Sequence, residues 1–354
     1  MPIFFLVLDG CAPEYFTAET APRLHRLAGA HGFVKRVQCA MPSVTNVNHA
    51  CLLSGKWPEE TGIAGNYVYD PKTGREGFLE ERGYMRAPTL LQWARRAGGK
   101  TALLTVKGKI LGVYGEGADI GLSAEKPDPA LLERLGLTPP PDIRSVDSTR
   151  WILEAAYRCM AAERPDFLYC TTNDCIFHHF APGAAEAREQ IAAVDEWVSR
   201  LHDENPDLSI YITADHGMNQ KTRLINFQAV AERAGFALYC YIENHVYQEG
   251  GTLYVFLKDA ARAAEFVDFA RSQPEVEQVL TAAQAAAAYH LPEAAIGDYV
   301  LLAAPGCAFA ELPGERLHTE ASRTHGSLYE REIPLLAIHP AAGPEAYRFS
   351  KDVA

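Results

Sequence analysis

The chain has 354 residues, with 33 basic side chains against 45 acidic ones and a formal charge of −12. That length buries a full hydrophobic core, as one large domain or a core with an insertion, and 48% hydrophobic with 22% charged residues excludes a disordered chain, a collagen-like repeat and a coiled coil. The acidic balance has the wrong sign for binding nucleic acid or an anionic membrane, but a local basic pocket for a small anion is allowed.

In chain order, the apolar run Ile3–Leu8 reads as a buried strand that stops at Asp9. It is too short for a secretory leader, and no run of about 18 apolar residues follows that would span a membrane. The stretches Thr89–Ala97, Thr149–Ala162 and Ala184–His202 carry helical periodicity. They alternate with strand-length runs at Thr101–Val106, Phe167–Thr171 and Leu208–Thr213, rich in β-branched and aromatic residues. This alternation predicts an α/β fold: a mostly parallel sheet with helices on both faces. The proline-rich stretch Lys126–Ile143 reads as an excursion near the substrate. From Phe236 the texture changes: Thr252–Leu257, Ala260–Ser272, Val276–Leu280, a helix through Ala288 and Tyr299–Ala303 form a β-α-β-α-β block. The expected organisation is a core of residues 1–235 and 314–354, with 236–313 inserted as a small α+β cap. Eight cysteines without CxxC spacing are no disulfide framework. Cys170 and Cys240 read as packing residues, and a reducing, cytoplasmic setting is expected.

The chemistry gathers where strands end. Asp9, Lys107 with Lys109, Asp174, and Asp215 with His216 each follow an apolar run. In open α/β sheets, ligands bind at the carboxyl ends of the strands. One aspartate in such a place is usually a turn or helix cap; four strands delivering charged groups together read as a site. Asp174 and His178 stand one helical turn apart, able to grip one ion. His325 sits in a glycine-containing loop before the late strand Pro334–Ile338. Counting Asp9, Asp174, His178, Asp215, His216 and His325 gives six oxygen and nitrogen ligands. Those suit two divalent ions, zinc first, with manganese or iron as alternatives. Paired ions are a usual device for phosphoryl transfer. Thr45 is the candidate nucleophile, placed to open a helix whose free N–H groups favour an anion. Alone, it would read as a plain N-cap.

These residues carry a resemblance. Val7-Leu8-Asp9-Gly10, the run Met41–Asn48, the stretch Gly62–Asp70, Thr172-Asn173-Asp174 with His178, Ala214-Asp215-His216-Gly217-Met218 and Thr324-His325-Gly326-Ser327 occur in this order. Together they resemble the alkaline phosphatase superfamily, in its nucleotide pyrophosphatase/phosphodiesterase-like branch. The run Thr105–Lys109 is similar to that of the phosphonoacetate hydrolases. The resemblance implies one zinc on Asp174, His178 and His325, and a second on Asp9, Asp215 and His216 with the Thr45 hydroxyl. It implies that Asn66 donates to a phosphoryl oxygen and that Lys107 and Lys109 face a substrate carboxylate. No lysine falls between Lys126 and Lys221, so a further family lysine downstream of Asp174 is missing.

The resulting expectation is a di-zinc hydrolase that cleaves the C–P bond of a small carboxylated phosphonate through a phosphothreonine. Its partner would be a small anionic phosphonate or phosphate, with no nucleic acid and no membrane; a homo-oligomer stays open. The alternatives are a phosphodiesterase or nucleotide pyrophosphatase on the same site, and a non-catalytic metal-binding protein. His49, one turn after Thr45, is within reach of the site, and His179 reads as packing or substrate contact. Tyr67 and Tyr69, beside Asn66, are placed to wall the pocket. His25, His31, His245, His290, His318 and His339 show no ligand spacing and read as surface or packing residues.

Overall fold

The computed structural model describes residues 2–70, 72–242 and 250–354; His245 lies outside them. A seven-stranded sheet runs in the order Gly32–Gln38, Glu332–Ile338, Ser209–Thr213, Ile3–Val7, Phe167–Thr171, Thr101–Thr105, Ile120–Ser123. The five strands from Ser209–Thr213 onward are mutually parallel, and Glu332–Ile338 pairs antiparallel with both of its neighbours. The strands Thr101–Thr105, Phe167–Thr171 and Ser209–Thr213 are buried along their whole length. Parallel strands read as continuous apolar runs for this reason, since helices cover both faces. Residues such as Leu6, Leu104 and Ile212, at 0% exposure, each contribute roughly 1.5–3 kcal/mol of hydrophobic stabilisation.

Register brings the chemistry together. Val7 lies opposite both Thr171 and Thr213, and Thr105 lies opposite Thr171. Four strands therefore end side by side, and the residues just beyond them emerge on one edge. The turn after the first strand needs Gly10, whose φ is +72° and whose missing Cβ would meet the Asp174 Cβ at 3.0 Å. That combination of left-handed backbone and close approach suits glycine alone.

The helices begin where local chemistry allows. Leu90–Arg96 opens with a capping box, in which Thr89 accepts from the Gln92 amide at 3.3 Å and Gln92 accepts from the Thr89 amide at 2.8 Å. The stretch Lys126–Ile143 is more ordered than expected. Asp128 caps a helix at Pro129–Leu135, and Pro129 sits in its first turn, where the missing N–H removes no helical bond.

A second sheet is antiparallel, in the order Leu238–Ile242, Thr252–Leu257, Tyr299–Ala303, Val276–Thr281. One side packs into an apolar cluster with Phe227, Phe266 and Phe309, and Tyr254, Val300 and Leu302 join Met41 in another. A third sheet places Asn219–Ile225 between Cys307–Phe309 and Arg316–Thr324. His325 immediately follows that last strand, so it reaches the site from outside the central sheet.

Candidate active site

The side chains from the strand ends converge. Single ligand atoms of Asp174, His216 and His325 lie within 4.8 Å of one another, as do single atoms of Asp9, His49 and Asp215. His178 Nε2 is 3.3 Å from Asp174 Oδ2. His216 Nε2 lies between the groups, 3.4 Å from Asp215 Oδ2 and 3.8 Å from Asp9 Oδ1, and its ring stacks on His325 at 3.8 Å. All six residues expected as ligands are thus in one cluster, and His49 joins them. Its signal in the sequence was the four-residue step from Thr45, which places both on one face of the Thr45–Ser54 helix.

The imidazoles are aimed. His178 Nδ1–H donates to the Arg323 carbonyl at 2.8 Å, His216 Nδ1–H to the Gly217 carbonyl at 3.0 Å, and His325 Nδ1–H to the Ser43 carbonyl at 3.1 Å. A carbonyl only accepts, so each ring carries a proton on Nδ1 and turns its Nε2 toward the cluster. Burial depresses the pKa of His216, and burial with the charges of His216 and His178 pushes His325 well down. Burial, Lys107 and Lys109 do the same to His49. Neutral imidazoles are the ligating form.

The carboxylates are under opposite stress. Burial, reinforced by Asp174 and Asp215, raises Asp9 to about 7. Burial raises Asp215 to about 6, against two backbone N–H donors, Gly10 and His216. Burial also opposes the charge on Asp174, but Lys107 and His178 outweigh it and hold that carboxyl well below the usual range. Two of the three buried carboxylates share one close ammonium. Lys107 Nζ lies 2.6 Å from Asp9 Oδ2 and 2.8 Å from Asp174 Oδ1. Buried atoms without hydrogen-bond partners include Asp9 Oδ1, His49 Nε2, His178 Nε2, Asp215 Oδ2 and His325 Nε2. Such groups are expensive to leave unpaired, and an oxygen and imidazole donor set of this kind fits divalent cations.

Thr45 is 1% exposed, at the first position of its helix, with Oγ1 3.4 Å from His216 Nε2. Asn66 is buried beside it, and its Oδ1 accepts from the Asn46 amide at 2.7 Å. Lys107 and Lys109 line a cavity of about 570 Å³ together with Ser123, Lys126, Asn173 and Asp174. Lys109 has no ion-pair partner among the described residues, and burial and then Lys107 lower its pKa. His179 lines a separate cavity of about 570 Å³ with Arg144, His178 and Arg323. Tyr67 and Tyr69 do not line the lysine cavity. Tyr67 packs against Phe78, and Tyr69 stacks on Tyr239 at 4.0 Å and meets Phe256 edge-on.

A mostly parallel sheet with a histidine and aspartate cluster at its strand ends is an arrangement that metal-assisted hydrolysis can use. Residues 3–328 match the type I phosphodiesterase / nucleotide pyrophosphatase family, and the chain belongs to it. Human ectonucleotide pyrophosphatase/phosphodiesterase family member 1 is 25% identical over 232 residues, 62% of this chain and 24% of that protein. A Caenorhabditis elegans ectonucleotide pyrophosphatase/phosphodiesterase is 25% identical over 246 residues, 67% of this chain and 31% of that one. The matched part is thus about a third or less of those relatives. Among solved structures, phosphonoacetate hydrolase from Sinorhizobium meliloti 1021 in complex with phosphonoacetate superposes with a TM-score of 0.89. It is 27% identical, and the match covers 100% of this chain and 94% of that one. An inactive murine ectonucleotide pyrophosphatase / phosphodiesterase 5 in complex with AMP shares the fold, with a TM-score of 0.73 at 16% identity over 100% of this chain and 92% of that one. The family is one of two-metal-ion hydrolases, and among the described residues no helix is long and apolar enough to cross a membrane.

Proposed function

We propose that this protein hydrolyses the C–P bond of a small carboxylated phosphonate, with phosphonoacetate as the substrate to try first. The observation that carries this reading is an ammonium group, Lys109, free of ion pairs among the described residues and lining a cavity that also reaches Asp174. Likeness to phosphonoacetate hydrolase across the whole chain supports it. The seven side chains Asp9, His49, Asp174, His178, Asp215, His216 and His325 would hold two divalent ions, zinc by donor type. Bound there, such ions would supply positive charge to the phosphoryl oxygens and lower the pKa of the nucleophile.

The chain's own residues do the rest. The Thr45 hydroxyl attacks phosphorus in line, forming the O–P bond as the C–P bond breaks. Free N–H groups at its helix terminus and the Asn66 amide orient the phosphoryl oxygens. The electron pair released on carbon delocalises into the adjacent carboxylate as an enediolate, which the Lys109 ammonium stabilises until carbon takes up the proton that Thr45 gave up, forming acetate. Water then opens the phosphothreonine, its hydroxyl going to phosphorus to give phosphate and its other proton to the Thr45 oxygen. Residues 236–313 would act as a cap over this edge. The eight cysteines, all unpaired, support a reducing compartment.

A second reading, phosphodiester or pyrophosphate hydrolysis on the same site, is favoured by the family match over residues 3–328. Phosphate release from phosphonoacetate, measured beside hydrolysis of an aryl phosphodiester with divalent metal supplied, tests the choice. Turnover of the diester with no phosphate from phosphonoacetate would hand the site to the second reading.

A further inference from the structure

The turn that carries His325 is held from three sides by groups that touch none of the reacting atoms. Gly251 N–H donates to the His325 carbonyl at 3.0 Å, and the Thr252 hydroxyl donates to the Gly326 carbonyl at 2.6 Å. The approach is close enough that a Cβ on Gly251 would meet the Ser327 backbone nitrogen at 2.3 Å. From the Thr45 side, Ser43 Oγ donates to the Ser327 carbonyl at 2.7 Å and accepts from the Gly326 amide at 3.1 Å.

The third side is ionic. Lys221 and Glu330 are 0% and 1% exposed, with Nζ 2.7 Å from Oε1. The other Glu330 oxygen accepts from the Ser327 amide at 2.9 Å and from its hydroxyl at 2.5 Å. Lys221 comes from the Asn219–Ile225 strand, which pairs with the strand leading into His325. A buried lysine and glutamate make no case for stability by themselves, because desolvation offsets their attraction. What this pair does have is direction: it ties the strand and the turn at both ends of His325.

We infer that the Lys221–Glu330 ion pair is a positioning device that sets the His325 imidazole, and through Ser43 the Thr45 segment, for metal binding. The inference rests on the proposed metal site. Outer partners of metal-ligating histidines typically contribute 10- to 100-fold in metal affinity. In metal-stripped full-length protein, zinc affinity is read by competition with a chromophoric chelator for wild type, Lys221→Met, the double variant Lys221→Met/Glu330→Gln, and His325→Ala. The double variant leaves no lone buried charge and keeps an acceptor for Ser327, so it carries the test if Lys221→Met fails to fold. One of two ions should weaken 10- to 100-fold in the folded variant, while the other keeps its wild-type affinity. Turnover should fall with KM little changed. A folded variant that binds both ions like wild type, even with a lowered Tm, would overturn the positioning role and leave the metal site standing. Unchanged zinc binding in His325→Ala would instead overturn the metal reading, and this inference with it.

Discussion

Lys109→Met separates the two candidate reactions. Lys107 is already committed, between Asp9 at 2.6 Å and Asp174 at 2.8 Å. Lys109 lines the same cavity without such a pairing among the described residues, and burial and its neighbour Lys107 press its pKa down. An anion entering that cavity relieves this stress, because a nearby opposite charge favours the ammonium form. One charge-assisted contact contributes roughly 1.5–3 kcal/mol. At about 1.4 kcal/mol per decade, that is about ten- to a hundredfold in kcat/KM. Methionine keeps the length and removes the charge.

The loss should fall on phosphonoacetate, followed by phosphate release, and leave an aryl phosphodiester within about twofold, since the diester has no carboxylate to anchor. If the ammonium also stabilises the enediolate, kcat falls along with affinity. Lys107→Met should behave differently. It removes the cation that pairs with Asp9 and Asp174, two of the carboxylates proposed to hold the ions that both reactions need, so both substrates should suffer. Equal losses on both substrates for Lys109→Met, or none on phosphonoacetate, would refute the assignment of Lys109 to the carboxylate.

Three further outcomes are expected. Thr45→Ala should lower turnover by orders of magnitude while the circular dichroism spectrum stays unchanged, because the hydroxyl faces His216 at 3.4 Å rather than capping its helix, whose N-cap is Val44; near-normal turnover would demote Thr45 to a structural residue. Chelation should lower the Tm as well as abolish activity: at a free metal concentration a hundred times Kd, each ion stabilises the folded chain by about 2.7 kcal/mol, and an unshifted melting curve would contradict the proposed ions. His202 is buried beside His31 and His339 with neither ring nitrogen hydrogen-bonded. Burial and then those two rings lower its pKa against the weaker pull of Asp203. The unfolded chain therefore binds this proton more tightly, and stability is lost as pH falls below about 6.5, by at most about 1.4 kcal/mol per pH unit. His202→Leu should flatten the dependence of Tm on pH between 7 and 5, and parallel curves would exclude His202 as the source.

Much of the central sheet was legible because its strands are buried on both faces, so apolar runs such as Phe167–Thr171 and Leu208–Thr213 announced themselves. The helix in the proline-rich stretch was missed because proline weighs as a breaker. At Pro129 it occupies the one turn where it breaks nothing. The clustering of the candidate ligands was legible because each aspartate follows an apolar run, and register alone then aligns the strand ends. The histidine partition was not. Which nitrogen faces which carboxylate depends on the backbone carbonyls of Gly217, Ser43 and Arg323 that fix the rings, and none of these contacts leaves a spacing in the sequence. Lys221 was invisible for a related reason: its partner Glu330 is 109 residues away.

The same division explains why the reaction class is better defined than the substrate. Asp9, Asp174, Asp215 and His216 sit where parallel strands end, so the topology that makes the sheet also assembles the edge proposed to bind metal. Lys109 belongs to a short helix, Gly108–Tyr114, whose first amide is held by the exposed Glu125 at 2.5 Å. Glu80, Glu125 and Lys126, which share its cavity, come from connecting segments. Loops accept substitution that sheet ends cannot, because nothing in the core depends on them. Two proteins can therefore share every metal ligand and still take different leaving groups. The charge that meets the leaving group, rather than the ions that hold the phosphoryl group, is what has to be varied to decide between a phosphonate and a diester.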